Sequence, residues 1–306
     1  MRAFTLDRFD SPPAFRDDLA EPTLGDGRLL VRVHASSVNP VDGFIGAGAL
    51  KEMAEHEFPV ILGRDYAGVV ERVGSGVVGY APGDEVFGFL VHADPVVHAG
   101  TWAELTLVPH DSVAAKPRSV DFEHAGAAPL AAITAMAAND ALALQAGETV
   151  LVVGASGGVG SFLVQLAAAA GASVIATALP EDEEYLRALG AGELVDRNAD
   201  VSAAVRALRA DGVDAVMDAV TSTPDTSVLR EGGRLASPVG AAGEGPERFN
   251  VMGVSSVENI RRLAELLDAG TIRVPIQRSY PLERAGEALE SLQAEHTQGK
   301  VGVTVV

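Results

Sequence analysis

Residues 150–171, VLVVGASGGVGSFLVQLAAAAG, decide how this chain is read. The opening Val150, Leu151, Val152 and Val153 are too few for a spanning helix and too apolar for a half-wet strand, which suits a parallel strand buried on both faces. A glycine-rich turn follows at once. Gly154, Gly157 and Gly160 let the backbone turn tightly, approach a ligand without Cβ interference and open a helix in which Phe162, Leu163, Leu166 and Ala167 share an apolar face. The first amides of such a helix lack intrahelical acceptors and lie at the positive end of its dipole, where they can cradle a dinucleotide pyrophosphate. The spacing is GxxGxxG rather than GxGxxG, a weak motif by itself. Its place after a strand, before a helix and inside a βαβ unit closed by residues 173–177 supplies the context that the anion reading needs. Turning alone does not call for three glycines at one corner.

Outward from that corner, 306 residues with 47% apolar content can build one large or two medium domains. Lys and Arg number 23 against 42 Asp and Glu, a net charge of −19, which repels a phosphate backbone and argues against nucleic acid as a partner. No run of about 18 uncharged apolar residues occurs outside the glycine-loop helix and the next strand, where Gln165 and Gly171 interrupt it, so a membrane span is not expected. The opening residues MRAFTLDRFDS carry no signal-peptide apolar region, and a cytoplasmic protein is the expectation. The chain has no cysteine, which excludes disulfides, thiolate nucleophiles and cysteine-ligated zinc.

Residues 1–119 read as short strands separated by Gly, Pro and Asp turns. Residues 28–36 alternate Leu29, Val31, Val33 and Ala35 against Arg32, His34 and Ser36, and 66–73, 85–90 and 102–108 are further strand candidates, together a partly open antiparallel barrel. After Pro117 the texture changes: Asp121 can cap a helix running through Ala141, and from residue 150 strands at 150–153, 173–177, 194–196, 213–217 and 234–239 alternate with helices. That pattern is a doubly wound parallel sheet. Past Gly270 a strand-like IRVPIQRSY, a helix at 282–292 and a last strand at 301–306 can rejoin the first domain. The expected architecture is therefore α/β, with a barrel domain from 1–119 and 271–306 and a dinucleotide-binding domain from 120–270.

The motifs NPVD (39–42), FPVILGRDYAGVVERVG (58–74), GDEVFGF (83–89), GTWAELTLVP (100–109), AAITA (131–135), GASGGVG (154–160) and HTQGKV (296–301) occur in that order. Together they resemble the zinc-independent medium-chain dehydrogenase/reductases, in the quinone oxidoreductase, zeta-crystallin-like branch. The resemblance covers nearly the whole chain and implies a GroES-like catalytic domain, a Rossmann domain and a nicotinamide in the cleft. Zinc-dependent relatives carry a ligating Cys near the position of Pro40 and a Gly-His-Glu where this chain has Gly63-Arg64-Asp65.

Hydride delivered to an isolated ketone leaves an alkoxide, which zinc normally stabilises as a Lewis acid. A quinone or an enone instead spreads the charge into a phenolate or enolate that a few hydrogen bonds can hold. Reduction of a quinone or activated C=C bond is thus the expected activity. The resemblance places Asn39 beside the nicotinamide, as donor to the ribose or the substrate oxygen, with Asp42 orienting it or a nearby water. Phe44 stands where relatives commonly have a tyrosine, so a phenolic donor is missing, and Thr134 matches a threonine near the nicotinamide. Ser156, Gly157, Gly158, Val159, Thr177, Arg197, Val220, Val239 and Gly240 form the expected cofactor-binding set. Thr177 stands where an NAD enzyme would end its second strand in Asp or Glu. NADP(H) is therefore expected over NAD(H), with Arg197 as the cation for the 2′-phosphate. Asp65 reads as structural. His92, Asp94 and His98 form an HxDxxxH group that reads as a loop bordering the substrate rather than a metal site, and His34, His56, His110, His124 and His296 as solvated or core residues. A small-molecule quinone or enone and a second copy of the chain are the expected partners. A non-catalytic nucleotide-binding protein and an enoyl-thioester reductase are the competing readings.

Overall fold

The structure is a computed structural model that describes every residue except Asp10, His92 and Pro95. In chain order it begins with β1 (Ala3–Leu6), β2 (Ala14–Arg16), β3 (Arg28–Ser37), α1 (Pro40–Gly46), β4 (Val60–Ile61), β5 (Asp65–Val73), β6 (Glu85–Phe89), β7 (Leu105–Pro109) and β8 (Ala114–Ala115). There follow α2 (Phe122–Ala127), α3 (Pro129–Leu142), β9 (Thr149–Val153), α4 (Gly158–Ala169), β10 (Ser173–Ala178), α5 (Glu183–Leu189), β11 (Glu193–Asp196), α6 (Val201–Leu208), β12 (Val213–Asp218), β13 (Leu229–Ser237) and β14 (Arg248–Asn250). The chain closes with α7 (Val257–Asp268), β15 (Ile276–Pro281), α8 (Ala285–Ala294) and β16 (Lys300–Thr304). Two compact units result. One comprises Met1–Leu130, Ser255–Ala269 and Ile276–Val306; the other comprises Ala131–Val254 and Gly270–Pro275.

In the first unit the main sheet runs β15-β16-β3-β5-β6-β8 with β7 also on β3, and a smaller sheet runs β2-β1-β4. The pairings of β3, β5, β6, β7 and β8 are antiparallel, as expected of turn-linked strands. In the tail, β16 pairs antiparallel with β3, Gly302 opposite Ser37 and Thr304 opposite Ala35. Leu29, Val31, Val33, Tyr66, Val70, Val86, Val301 and Val303 fill the core around Trp102. Gly63 lies at φ +86°, and a Cβ there would stand 2.2 Å from Trp102 Cδ1, so this position admits only glycine. The alternation expected along β3 breaks at its end, where Ser36 and Ser37 are both buried. Both hydroxyls turn to Asp65, Ser36 to its carbonyl and Ser37 to its carboxylate, each at 2.6 Å.

The single helix expected from Asp121 to Ala141 is two. Asp121 does cap α2, accepting from His124 N–H at 2.9 Å, but Pro129, without an N–H to continue the ladder, starts α3 afresh. The strand expected from Trp102 begins instead at Leu105, because the Trp102 N–H bonds back to Leu62 O and its indole enters the core.

In the second unit, among the described residues, a parallel sheet runs β11-β10-β9-β12-β13-β14. The earliest strand, β9, is central, and the order reverses between β9 and β12, the switch point where α/β sheets bind ligands. Asp218 pairs with Val153, and Met217 with Ala236, so the carboxyl ends of β9, β12 and β13 line up on one edge. No helix among the described residues is long and apolar enough to cross a membrane.

Candidate active site

The carboxyl edge of the second unit is built from backbone. At Gly154 (φ +80°) the chain leaves β9, and Gly157 N–H closes the turn on Gly154 O at 3.2 Å. The first bond of α4 runs from Ser161 N–H to Gly157 O, leaving the N–H groups of Gly158, Val159 and Gly160 without a helical acceptor at the positive end of the dipole. A Cβ on Gly160 would stand 2.2 Å from Gly154 O, so this glycine packs helix against turn. A Cβ on Gly157 would meet nothing nearer than Gly154 O at 3.5 Å, so that glycine faces open space. Free amides around a surface that no side chain occupies fit a dinucleotide pyrophosphate. Next to this corner, Asp218 accepts from the N–H groups of Val220 and Thr221, each at 2.9 Å, and Ser237 Oγ accepts from those of Val239 and Ala241, each at 3.3 Å. The expected Val220, Val239 and Gly240 thus sit on loops pinned just past the ends of β12 and β13, with both valines exposed.

Thr177 departs from expectation. The strand β10 continues to Ala178, and the Thr177 side chain is buried, accepting from Gly154 N–H at 3.1 Å. It ties the glycine turn to the sheet and does not face outward at the strand end. Arg197 follows β11 and donates its N–H to Ala178 O at 3.0 Å, which sets it beside the end of β10. Of the acidic run beyond, Asp182 is buried and accepts from Leu179 N–H at 2.9 Å, and exposed Glu183 pairs with Arg187.

The expected site of the first unit is built from charge. Asn39 caps α1 in extended conformation, and its N–H donates to Asp42 Oδ2 at 2.7 Å. Its side-chain amide is held at both ends: Nδ2 donates to Asp65 Oδ2 at 2.7 Å, and Oδ1 accepts from Lys300 Nζ at 2.6 Å. Lys300 also donates to Val38 O at 3.1 Å and stands 3.6 Å from Asp65 Oδ2, while Asp65 Oδ1 accepts from Leu130 N–H at 2.7 Å. Arg64 completes the group, donating to the carbonyls of Ile61 and Val91, with Nε 3.9 Å from Asp42 Oδ1. Asp42, Arg64, Asp65 and Lys300 are all buried, two acids matched by two bases. Burial pushes the Asp42 carboxyl up to about 7 against the pull of Arg64. It lowers the Lys300 ammonium, which Asp65 and Asp42 counter.

Sequence reasoning named Asn39 and Asp42, and read Asp65 as structural; it missed Arg64 and Lys300 as parts of one group. The available signal was Lys300 heading an otherwise apolar strand, KVGVTVV, where an unpaired ammonium would be costly. Phe44 is 56% exposed on α1 and offers no hydroxyl. Thr134 is buried in α3 of the second unit, and Ser156 is buried at the glycine turn.

Zinc does not fit these residues. Pro40 and Arg64, which the resemblance sets against the ligand positions of zinc-dependent relatives, offer a cation no donor, and the guanidinium and ammonium would repel it. In the HxDxxxH group, Asp94 pairs with Arg28 at 2.9 Å and His98 Nδ1 bonds to Glu57 O at 2.8 Å, while His92 lies outside the described residues. Among the described residues no group of three His, Cys, Asp or Glu can hold a metal. A hollow of about 460 Å³ in the first unit, lined among others by Arg28, Leu90, Asp94 and His110, includes none of Asn39, Asp42 and Phe44.

Residues 25–118 match the alcohol dehydrogenase GroES-like domain family and residues 189–303 the zinc-binding dehydrogenase family. The chain is 32% identical to a chloroplastic NADPH-dependent alkenal/one oxidoreductase of Arabidopsis thaliana, over 94% of this chain and 74% of that protein. It is 30% identical to a quinone oxidoreductase of Sus scrofa, over 100% of this chain and 97% of that one. Among solved structures, the quinone oxidoreductase from Coxiella burnetii superposes with a TM-score of 0.88 at 29% identity, over 100% of this chain and 99% of the other.

Proposed function

The chain belongs to the zinc-independent quinone oxidoreductase branch of the medium-chain dehydrogenase/reductase superfamily and is an oxidoreductase, and from that premise we infer that it uses NADPH to reduce quinones and C=C bonds conjugated to a carbonyl. The observation that carries the reading is the pair of former ligand positions, filled by Pro40 and by a buried Arg64. Without a Lewis acid, the substrate itself must delocalise the charge that hydride brings, as a quinone or enone does. A nicotinamide supplies the hydride. The amides of Gly158, Val159 and Gly160 hold its pyrophosphate, and Val220, Val239 and Gly240 line its path along the sheet edge. Asn39 has one amide hydrogen left after Asp65 takes the other, and it serves as donor to the substrate oxygen or the ribose. Phe44 offers the substrate an apolar face, and the Thr134 hydroxyl serves the nicotinamide.

NADPH over NADH follows from what surrounds Ala178. No carboxylate ends β10 itself, Asp182 is turned to Leu179 N–H, Asp196 opposite Ala178 accepts from Asn198 N–H, and Arg197 sits beside Ala178 to meet a 2′-phosphate. A homodimer in the cytoplasm completes the proposal. Light scattering and cell fractionation test those two points. The decisive assay is NADPH oxidation with a panel of quinones, enones, enoyl thioesters and simple ketones, with and without a chelator. Turnover of quinones and enones alone, unchanged by chelator, is the expected result. Turnover of the thioester above all others would mark a biosynthetic enoyl reductase, and none at all a nucleotide-binding protein without activity.

A further inference from the structure

The buried charges of the first unit do more than neutralise one another. Lys300 and Asp65 address the two ends of a single neutral side chain, the Asn39 amide, with Nζ on Oδ1 at 2.6 Å and Oδ2 on Nδ2–H at 2.7 Å. An ammonium has no acceptor and a carboxylate has no donor, so only one orientation of this amide satisfies both charges. Turned over, it would set nitrogen against ammonium and oxygen against carboxylate in a buried setting where such contacts are severely unfavourable. The two charges are themselves fixed by backbone and hydroxyl partners. Val38 O holds Lys300, while Ser37 Oγ and Leu130 N–H hold Asp65. These partners come from the end of β3, the start of β5, the start of α3 and the start of β16, so four distant segments converge on one amide.

We propose that Lys300 is a positioning residue that, with Asp65, locks the Asn39 amide so that its remaining N–H is the one presented for reaction. The proposal rests on the donor role inferred above for Asn39. A buried ion pair kept only for stability would not need an asparagine between its members, and an apolar pair of similar volume would stabilise at least as well. Lys300 acts through hydrogen-bond geometry and takes no part in the chemistry.

The test is a double-mutant cycle on kcat with 1,4-naphthoquinone and a short enone, using Asn39→Ala, Lys300→Met and the double variant, with dinucleotide affinity measured alongside. Lys300→Met should lower kcat about 10- to 100-fold, as expected for a misaligned donor, and change dinucleotide affinity no more than Asn39→Ala does. In the Asn39→Ala background the same substitution should lower kcat less than about twofold, because nothing remains to be positioned. If Lys300→Met does not fold, Lys300→Met with Asp65→Asn removes both charges together and should show the same coupled loss. Losses that multiply in the double variant, or a folded Lys300 variant with wild-type kcat, would overturn the lock while leaving the donor role standing. Wild-type kcat in Asn39→Ala alone would overturn the donor role, and the lock with it.

Discussion

The glycine corner of the second unit and the charged group of the first solve opposite problems. At residues 154–160 the functional groups are backbone amides, and side chains are the hazard: the corner works because Cβ atoms are missing from it. Around Asn39 the functional groups are side chains, and the hazard is the low-dielectric interior that holds them: the group works because each charge has a partner. A backbone site fails by crowding, a charged one by imbalance. Substitutions of similar size should therefore damage the two regions by different routes.

Crowding gives the largest expected effect. Gly160→Val forces a Cβ to within 2.2 Å of Gly154 O, and the second unit should lose more than about 4 kcal/mol, read as collapse of the urea midpoint. A well-folded variant would show that turn and helix do not need this contact. Imbalance comes next. The folded Asp42 carboxyl, raised by burial from 3.8 to about 7, binds a proton that the unfolded chain has lost between those values. Its contribution to stability is therefore fully present below pH about 4, declines as pH rises to about 7 and is level above, a span of roughly 4 kcal/mol. Stability measured against pH for Asp42→Asn should lack that decline; parallel curves for the two proteins would mean that the Asp42 carboxyl binds its proton alike in the folded and unfolded chain.

Gly157→Val sharpens the contrast, because its side chain enters open space in the protein but the place of a phosphate. Folding should be unchanged and dinucleotide affinity reduced about 100-fold, measured by calorimetry. Unchanged affinity would remove the cofactor from this corner. The smallest effect belongs to Arg197→Ala. One charge-assisted contact is worth about 1.5 to 3 kcal/mol, so KM for NADPH should rise about 10- to 100-fold with KM for NADH nearly constant. Equal loss for both would make Arg197 structural.

The same contrast explains what was legible from residues alone. The corner is local: strand, turn and helix follow within residues 149–169, so periodicity and glycine spacing reveal them in one window. Thr177 eludes the pattern because β10 runs one residue further, to Ala178, and one residue reverses the face of a side chain. Ser36 and Ser37 broke the alternation of β3 for a polar reason that hydropathy cannot register. The helix break at Pro129 is written in the sequence as a proline inside an otherwise continuous alanine-rich stretch. The Asn39 group was half visible, since its short-range members share two motifs, but no pattern along the chain connects Asn39 with Lys300.

That separation is 261 residues, and it gives the first unit a history. During synthesis Asn39 and Asp65 emerge long before Lys300, and the sheet edge of β3 at Ala35–Ser37 waits equally long for β16. In the interval the whole second unit is made, and its adjacent βα elements can assemble by themselves. The nascent first unit meanwhile carries an open strand edge beside acids whose ammonium has not arrived. Synthesis from the amino end leaves the tail to close the unit that the head began.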